Sequence, residues 1–193
     1  MILIIFNIPN LNIEYLLEIY YNRDMKQALS IKPHDVAILL KLVAKGESVW
    51  RQVDLANELE ISQSEIAKSL VRLKKANLVV GKRVNKLSVK EFLIHALKYL
   101  FPAELGPLEV GVPTGASSPL FNSILDQKNK DKYVWPDPKG SARGQIFKPL
   151  YPKLSSAALK DPEFYDLVAI SDVLRSGRAR EKELAIKELK NRL

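Results

Sequence analysis

Apolar residues recur at helical spacing through residues 33–45, where Val36, Leu39, Leu40 and Val43 fall on one face. Pro33 suits a first helical position and Gly46 a stop, so the pattern predicts a helix over 33–45. Ser48–Trp50 reads as a short extended piece. A second helix is predicted over 51–60, with Val53, Leu55, Ala56 and Leu59 apolar, and a third over 62–75. The third has a marked start: Ser62 and Glu65 stand three residues apart, as in a capping box. Two short β-type runs follow, Leu78–Val80 and Val84–Val89, joined through Gly81-Lys82-Arg83. A fourth helix is expected over 90–101, ended by Pro102.

Beyond residue 101 the pattern changes. Residues 102–152 hold eight of the eleven prolines and five of the eight glycines, which argues against long regular elements. Leu120, Phe121, Ile124, Leu125, Tyr133, Trp135, Ile146, Phe147 and Tyr151 are nonetheless available as anchors. The stretch is therefore read as an extended arm that wraps its own domain or a partner. Two more helices are predicted, over 161–175 with Asp161 as cap and Pro162 first, and over 178–193. Residues 153–193 are thus read as a C-terminal helical region for dimer or partner contacts; Ala179, Leu184, Ile186, Leu189 and Leu193 of its last helix suit either a dimer arm or packing against Leu167, Ile170, Val173 and Leu174 of the helix before.

Charge sharpens this division. The net charge is +8, but residues 1–24 hold one base and three acids, and residues 25–101 hold fourteen bases and seven acids. The positive excess sits in the middle third, as a segment facing a polyanion requires. Residues 1–30 form an N-terminal extension rich in Ile, Asn and Tyr. Within it, residues 1–24 are either a foreign extension before a natural start at Met25 or a segment carrying a short helix at Leu11–Tyr21. The apolar start Met1–Phe6 is far short of the ~20 residues a membrane-crossing helix needs, and it has no basic leader. No cysteine occurs, which excludes disulfides and thiolate chemistry and fits a cytoplasmic location.

The order helix, short strand, helix, turn, helix, hairpin at residues 31–101, and above all VDLANELEISQSEIAKSLVRLKKANLV at 53–79, resembles the MarR-type winged helix-turn-helix regulators. The resemblance places Ala56 where two helices cross, Ile61 in the turn, and Ile66, Leu70 and Leu73 against the core. Ala76-Asn77 stands where the family commonly has glycine, and Asn77 tolerates a left-handed conformation. The implied fold is mainly α with a small β-wing: a winged helix-turn-helix, then the Pro/Gly-rich arm and two C-terminal helices.

Helical geometry then selects a DNA face. With Ile66, Leu70 and Leu73 inward, Ser64, Lys68, Val71, Arg72 and Lys75 fall outward, and Gln63 lies near the helix start. Recognition helices read bases from their N-terminal residues, so Gln63, Ser64 and Lys68 are assigned to base edges and Arg72 and Lys75 to phosphates, with Arg72 suited to either role. The hairpin adds Lys82, Arg83 and Lys86. Between Ile66 and Lys90 there are eight basic residues and no acidic one.

The remaining signals point away from catalysis. His34 and His95 form no spaced ligand set, and no triad, phosphate loop or carboxylate pair is visible, so neither a metal nor a cofactor is expected. Trp135 and Pro136, in a Trp-Pro-Asp-Pro run, are candidate partner anchors, the other reading being that the tryptophan pins the arm to its own domain. The expected protein is a non-enzymatic, sequence-specific binder of double-stranded DNA. It would be a homodimeric repressor, with an autoregulating antitoxin as a narrower version. The competing reading is a protein–protein interaction module that holds a partner enzyme through the arm.

Overall fold

The computed structural model describes residues 30–124 and 132–193. The readings placed on residues 1–24, on Leu11–Tyr21, on Met25 and on Leu125 lie outside them. Three helices come first: α1 (Pro33–Lys45), α2 (Gln52–Leu59) and α3 (Gln63–Lys75). Each follows its apolar period. Val36, Leu39 and Leu40 of α1, Leu55 and Leu59 of α2, and Ile66, Leu70 and Leu73 of α3 are all buried. Between α2 and α3 the chain turns at Glu60, whose left-handed backbone ends α2. Asn77 is left-handed as well and turns the chain out of α3.

The hairpin is smaller than its β-type runs suggested. Strands β1 (Val79–Val80) and β2 (Arg83–Val84) pair antiparallel across a two-residue turn, Gly81-Lys82, where Gly81 takes the positive φ such a turn needs. The strand expected to run on to Val89 stops because the Asn85 side chain caps a new helix by accepting from the Ser88 amide. That helix is α4 (Lys86–Glu91), continued by a π-helical turn (Phe92–Ala96) and α5 (Leu97–Leu100). Ser48–Trp50 joins no strand; Trp50 is buried in the core, and Lys82 lies 5.8 Å over its ring.

The segment expected to be an extended arm without long regular elements is instead built around a three-stranded sheet. Strand β3 (Leu105–Pro113) runs antiparallel to both β4 (Tyr133–Pro136) and β5 (Ala142–Phe147), which pair with each other in parallel. Each strand meets the other two, so backbones crowd, and glycine is what permits it. A Cβ at Gly111 would lie 2.0 Å from the Trp135 carbonyl oxygen, and one at Gly140 would lie 2.1 Å from the Gly111 carbonyl carbon. Gly111, Gly140 and Gly144, among the glycines that argued against regular structure, are the residues that let this sheet close. A short helix, α6 (Pro119–Asn122), separates β3 from β4.

Three helices complete the chain: α7 (Leu154–Leu159), α8 (Pro162–Ser176) and α9 (Ala179–Arg192). Asp161 caps α8 through the Phe164 amide, with Pro162 at the first position. Helix α8 is buried along most of its length and packs on α1, α5, α7 and α9. The apolar core consequently runs without a break from α1 to α9, and Ile31–Leu193 forms one compact unit. No helix among the described residues is long and apolar enough to cross a membrane.

Trp135 does not face a partner. Its side chain is 0% exposed, stacks edge-on against Tyr165 at 5.4 Å, and donates its indole N–H to Asp172 at 2.9 Å. Asp172, fully buried on α8, also accepts from Thr114 (2.8 Å) and pairs with Arg175 (3.0 Å). Burial pushes its carboxyl above the ordinary carboxylate value, against the pull of Arg175 and the two neutral donors. The tryptophan is thus the bolt between the sheet and α8, and of the two suggested anchors only Pro136 reaches the surface. Replacing Trp135 by Phe keeps most of the packing but leaves Asp172 short of a donor, which should cost about 1–3 kcal/mol in urea unfolding. An unchanged midpoint and slope would show that this hydrogen bond carries nothing.

Candidate nucleic-acid interface

Helix α3 is positioned by one ion cluster. Its Arg72 guanidinium donates to both oxygens of Asp35 on α1, at 2.6 and 2.7 Å, and to Glu65 at 2.7 Å. His34 Nε2 lies 2.8 Å from the same Glu65 oxygen. Asp35 is 0% exposed and the Arg72 side chain only 16% exposed. Burial pushes the Asp35 carboxyl up, but bonds from Arg72, Ser69 and the Lys32 amide outweigh it and hold it below the usual carboxylate range. Arg72, hydrogen-bonded to Asp35, is raised above its already high value and stays charged.

Two expectations are corrected here. Arg72 is not a phosphate ligand, because its guanidinium is already bound by two carboxylates inside the molecule. Only half of the capping box forms. Ser62 accepts from the Glu65 amide at 3.3 Å, but the Glu65 carboxylate turns to Arg72, since a charged donor outcompetes a backbone amide. His34, Asp35 and Glu65 also have the donor types of a metal site, with ligand atoms within 4.8 Å of one another. Arg72 Nη2, at 2.7 Å from Asp35 and Glu65 and 3.2 Å from His34, already supplies the positive charge at their centre.

With Arg72 turned inward, the opposite face of α3 is free. Gln63, Ser64, Lys68, Val71, Lys74 and Lys75 are exposed. Among the described residues Lys68, Lys74 and Lys75 have no carboxylate within ion-pairing distance. Lys74 was counted in the basic run but not assigned to the face, and the structure adds it. At the hairpin, Lys82 and Arg83 are exposed; Arg83 meets Glu47 at 3.5 Å, a pair so solvated that it constrains little. Lys86 is exposed too, at the first position of α4 rather than on a strand. Hairpin and α3 are neighbours, since β1 packs on α3. The structure thus leaves seven of the eight assigned side chains exposed on α3, on the hairpin and at the start of α4, and withdraws one.

The ion cluster itself went unread in the sequence. A signal was present: Glu65 and Arg72 are seven residues apart on one helix, which puts them on the same face two turns apart. Nothing local to α3 indicated that Asp35, 37 residues earlier, would meet them.

Of the two readings of the last helix, the structure shows internal packing. The apolar residues that suggested a dimer arm are used within the chain: Ala185 and Leu189 are buried, and Leu184, Ile186 and Leu193 pack on the same core. Arg192 pairs with Asp166 and Glu188, tying α9 to α8. Comparison with known proteins finds no matching family, no similar curated protein and no similar solved structure.

Two outcomes follow from the cluster. Arg72→Ala strands the buried Asp35 charge and should lower stability by about 3–5 kcal/mol in urea at neutral pH, with Asp35→Asn in the same chain restoring part of the loss. A loss within experimental error would mean that the cluster does not hold α3. Glu65, hydrogen-bonded by Arg72, is lowered to about 2 from 4.5. Its folded value is depressed, so its stabilisation is complete above pH 4.5 and is lost as the pH falls toward 2. Glu65→Gln should therefore flatten the stability profile across that interval; a profile as steep as the parent's assigns acid sensitivity elsewhere.

Proposed function

We propose that the chain is a sequence-specific, duplex-DNA-binding regulator of the winged helix-turn-helix kind, with α3 as recognition helix and the β1–β2 hairpin as a short wing. One observation carries the reading: α3 buries Ile66, Leu70, Leu73 and its arginine, and turns outward an unpaired lysine face with Gln63, Ser64 and Val71. A helix is about 10–12 Å across with its side chains, and the major groove of B-DNA is about 12 Å wide, so such a face fits the groove. Gln63 and Ser64, at the N-terminal end of α3, are placed to meet base edges. Lys68, Lys74, Lys75, Lys82 and Lys86 are the phosphate ligands. Repression, in its simplest form occlusion of a promoter, needs nothing beyond such binding.

A second reading has its own support. Leu105, Leu108 and Val110 are exposed on β3, an apolar strand face suited to a protein partner. It is an addition to DNA binding rather than a substitute, because the lysine face lies on a different element.

Five phosphate contacts imply that log affinity falls against log salt with a slope of about −4.5. Mobility shifts on mixed-sequence duplex across a salt series should show it. Lys68→Ala and Lys75→Ala should each reduce the slope by about 1, and Lys160→Ala should leave it alone. Lys160 is held by an ion pair to Glu60 and is not among the assigned phosphate ligands. Duplex binding that is absent, or that responds to Lys160 and not to Lys68, would refute the assignment.

A further inference from the structure

The outward face of α3 has an internal order that the charge count hides. With Gln63 as zero and about 100° per residue, Lys74 lies at about 20°, Ala67 at 40°, Val71 at 80°, Ser64 at 100°, Lys75 at 120° and Lys68 at 140°. On the same scale the buried Ile66, Leu70 and Leu73 lie at about 300°, 340° and 280°. The midline of the exposed arc is therefore Ser64 and Val71, with Ala67 half-buried beside them, and the lysines stand on both sides of it. Val71 is 54% exposed. A β-branched residue gains nothing for a helix in water, since its side chain stiffens against the preceding turn.

A major groove offers this pattern its complement. Its two walls are phosphates, within reach of long cationic chains on both flanks of the helix, and its floor meets the helix midline. Only one group on that floor is apolar, the C5 methyl of thymine. Lys68 then belongs to a flank and to phosphate rather than to a base edge.

Resting on the DNA-binding reading, we infer that Val71, with Ala67 one turn before it, packs against a thymine methyl, so that the preferred duplex carries thymine opposite the middle of α3. Ser64, on the same midline, reads the neighbouring pair toward the helix start. The ligand class is a duplex specified in part by methyl contact, not by hydrogen bonding alone.

The test begins with selection of tight binders from a random-sequence duplex pool. The selected duplex is resynthesised with deoxyuridine replacing each thymine in turn, which removes only the methyl, and affinities are read by fluorescence anisotropy. One or two adjacent positions should lose about fourfold, the value of one buried methyl. Val71→Ala should bind the thymine duplex about as weakly as the parent binds the deoxyuridine one, and should show no further loss at that position. Val71 is a surface residue, and the deoxyuridine series needs no variant at all, so misfolding does not confuse the result. If a duplex is selected but no thymine responds, or the penalty survives in Val71→Ala, the methyl contact is wrong and the DNA reading stands. If no duplex is enriched, both fall.

Discussion

The Arg72 guanidinium, bound by Asp35 from α1 and by Glu65 from its own helix, sets the rotation of α3 about its axis. Apolar packing alone leaves some freedom, since Ile66, Leu70 and Leu73 would tolerate a modest roll. A bidentate contact to a fully buried carboxylate does not, because its geometry is planar and its loss strands a charge. Such a pair contributes little net stability compared with apolar residues of the same shape. Its contribution is to fix one arrangement, and here that arrangement points three lysines, a glutamine, a serine and a valine into solvent.

The rest of the chain holds α1 still, and so holds the partner of that contact. Helix α8 lies against α1, and buried Lys41 pairs with Asp161 at the start of α8 and with Glu58 on α2. Glu60, at the turn before α3, accepts from Ser156 and Lys160 on or beside α7. Arg175 reaches back to the Phe101 carbonyl at the end of α5. The three-stranded sheet is bolted to the same α8 through Trp135, Thr114 and Asp172. The segments expected to be an arm, a helical tail and a winged-helix module are accordingly one packed body, with the lysine face of α3 exposed on it.

Helices α1, α2, α3, α8 and α9 were legible because their apolar period, caps and stops agree, whereas α6 and α7 were not read and α4 was read as the end of a strand. Pro33, Ser62, Asp161 and Pro162 all mark what they were read to mark, and each helix boundary read from them fell within a residue or two. The lysine face of α3 was legible for the same reason, since a helix that declares its inner side declares its outer side too. What failed was contact between distant segments. Arg72 and Lys68 differ in the sequence only by Glu65 two turns before Arg72, and the buried Asp35 that completes the contact comes from another helix. Trp135, between a valine and a proline, carries no mark distinguishing a buried bolt from an exposed anchor. The 102–152 sheet was hidden because its glycines serve close backbone approach, a tertiary requirement with no local periodicity. The early end of β2 was readable in principle, for Asn85 is a good helix cap, but β-branched Val84 and Val89 bracketed it.

The central claim is that the free lysines of α3 and the hairpin are the surface that meets a nucleic acid. Lysine acylation followed by mass spectrometry, with and without saturating duplex DNA at low salt, measures this directly. Duplex should protect Lys68, Lys74, Lys75 and Lys82 and leave Lys182, at the start of α9, as reactive as before. Equal reactivity of the α3 lysines in both conditions, or protection confined to α7 and α9, would contradict it.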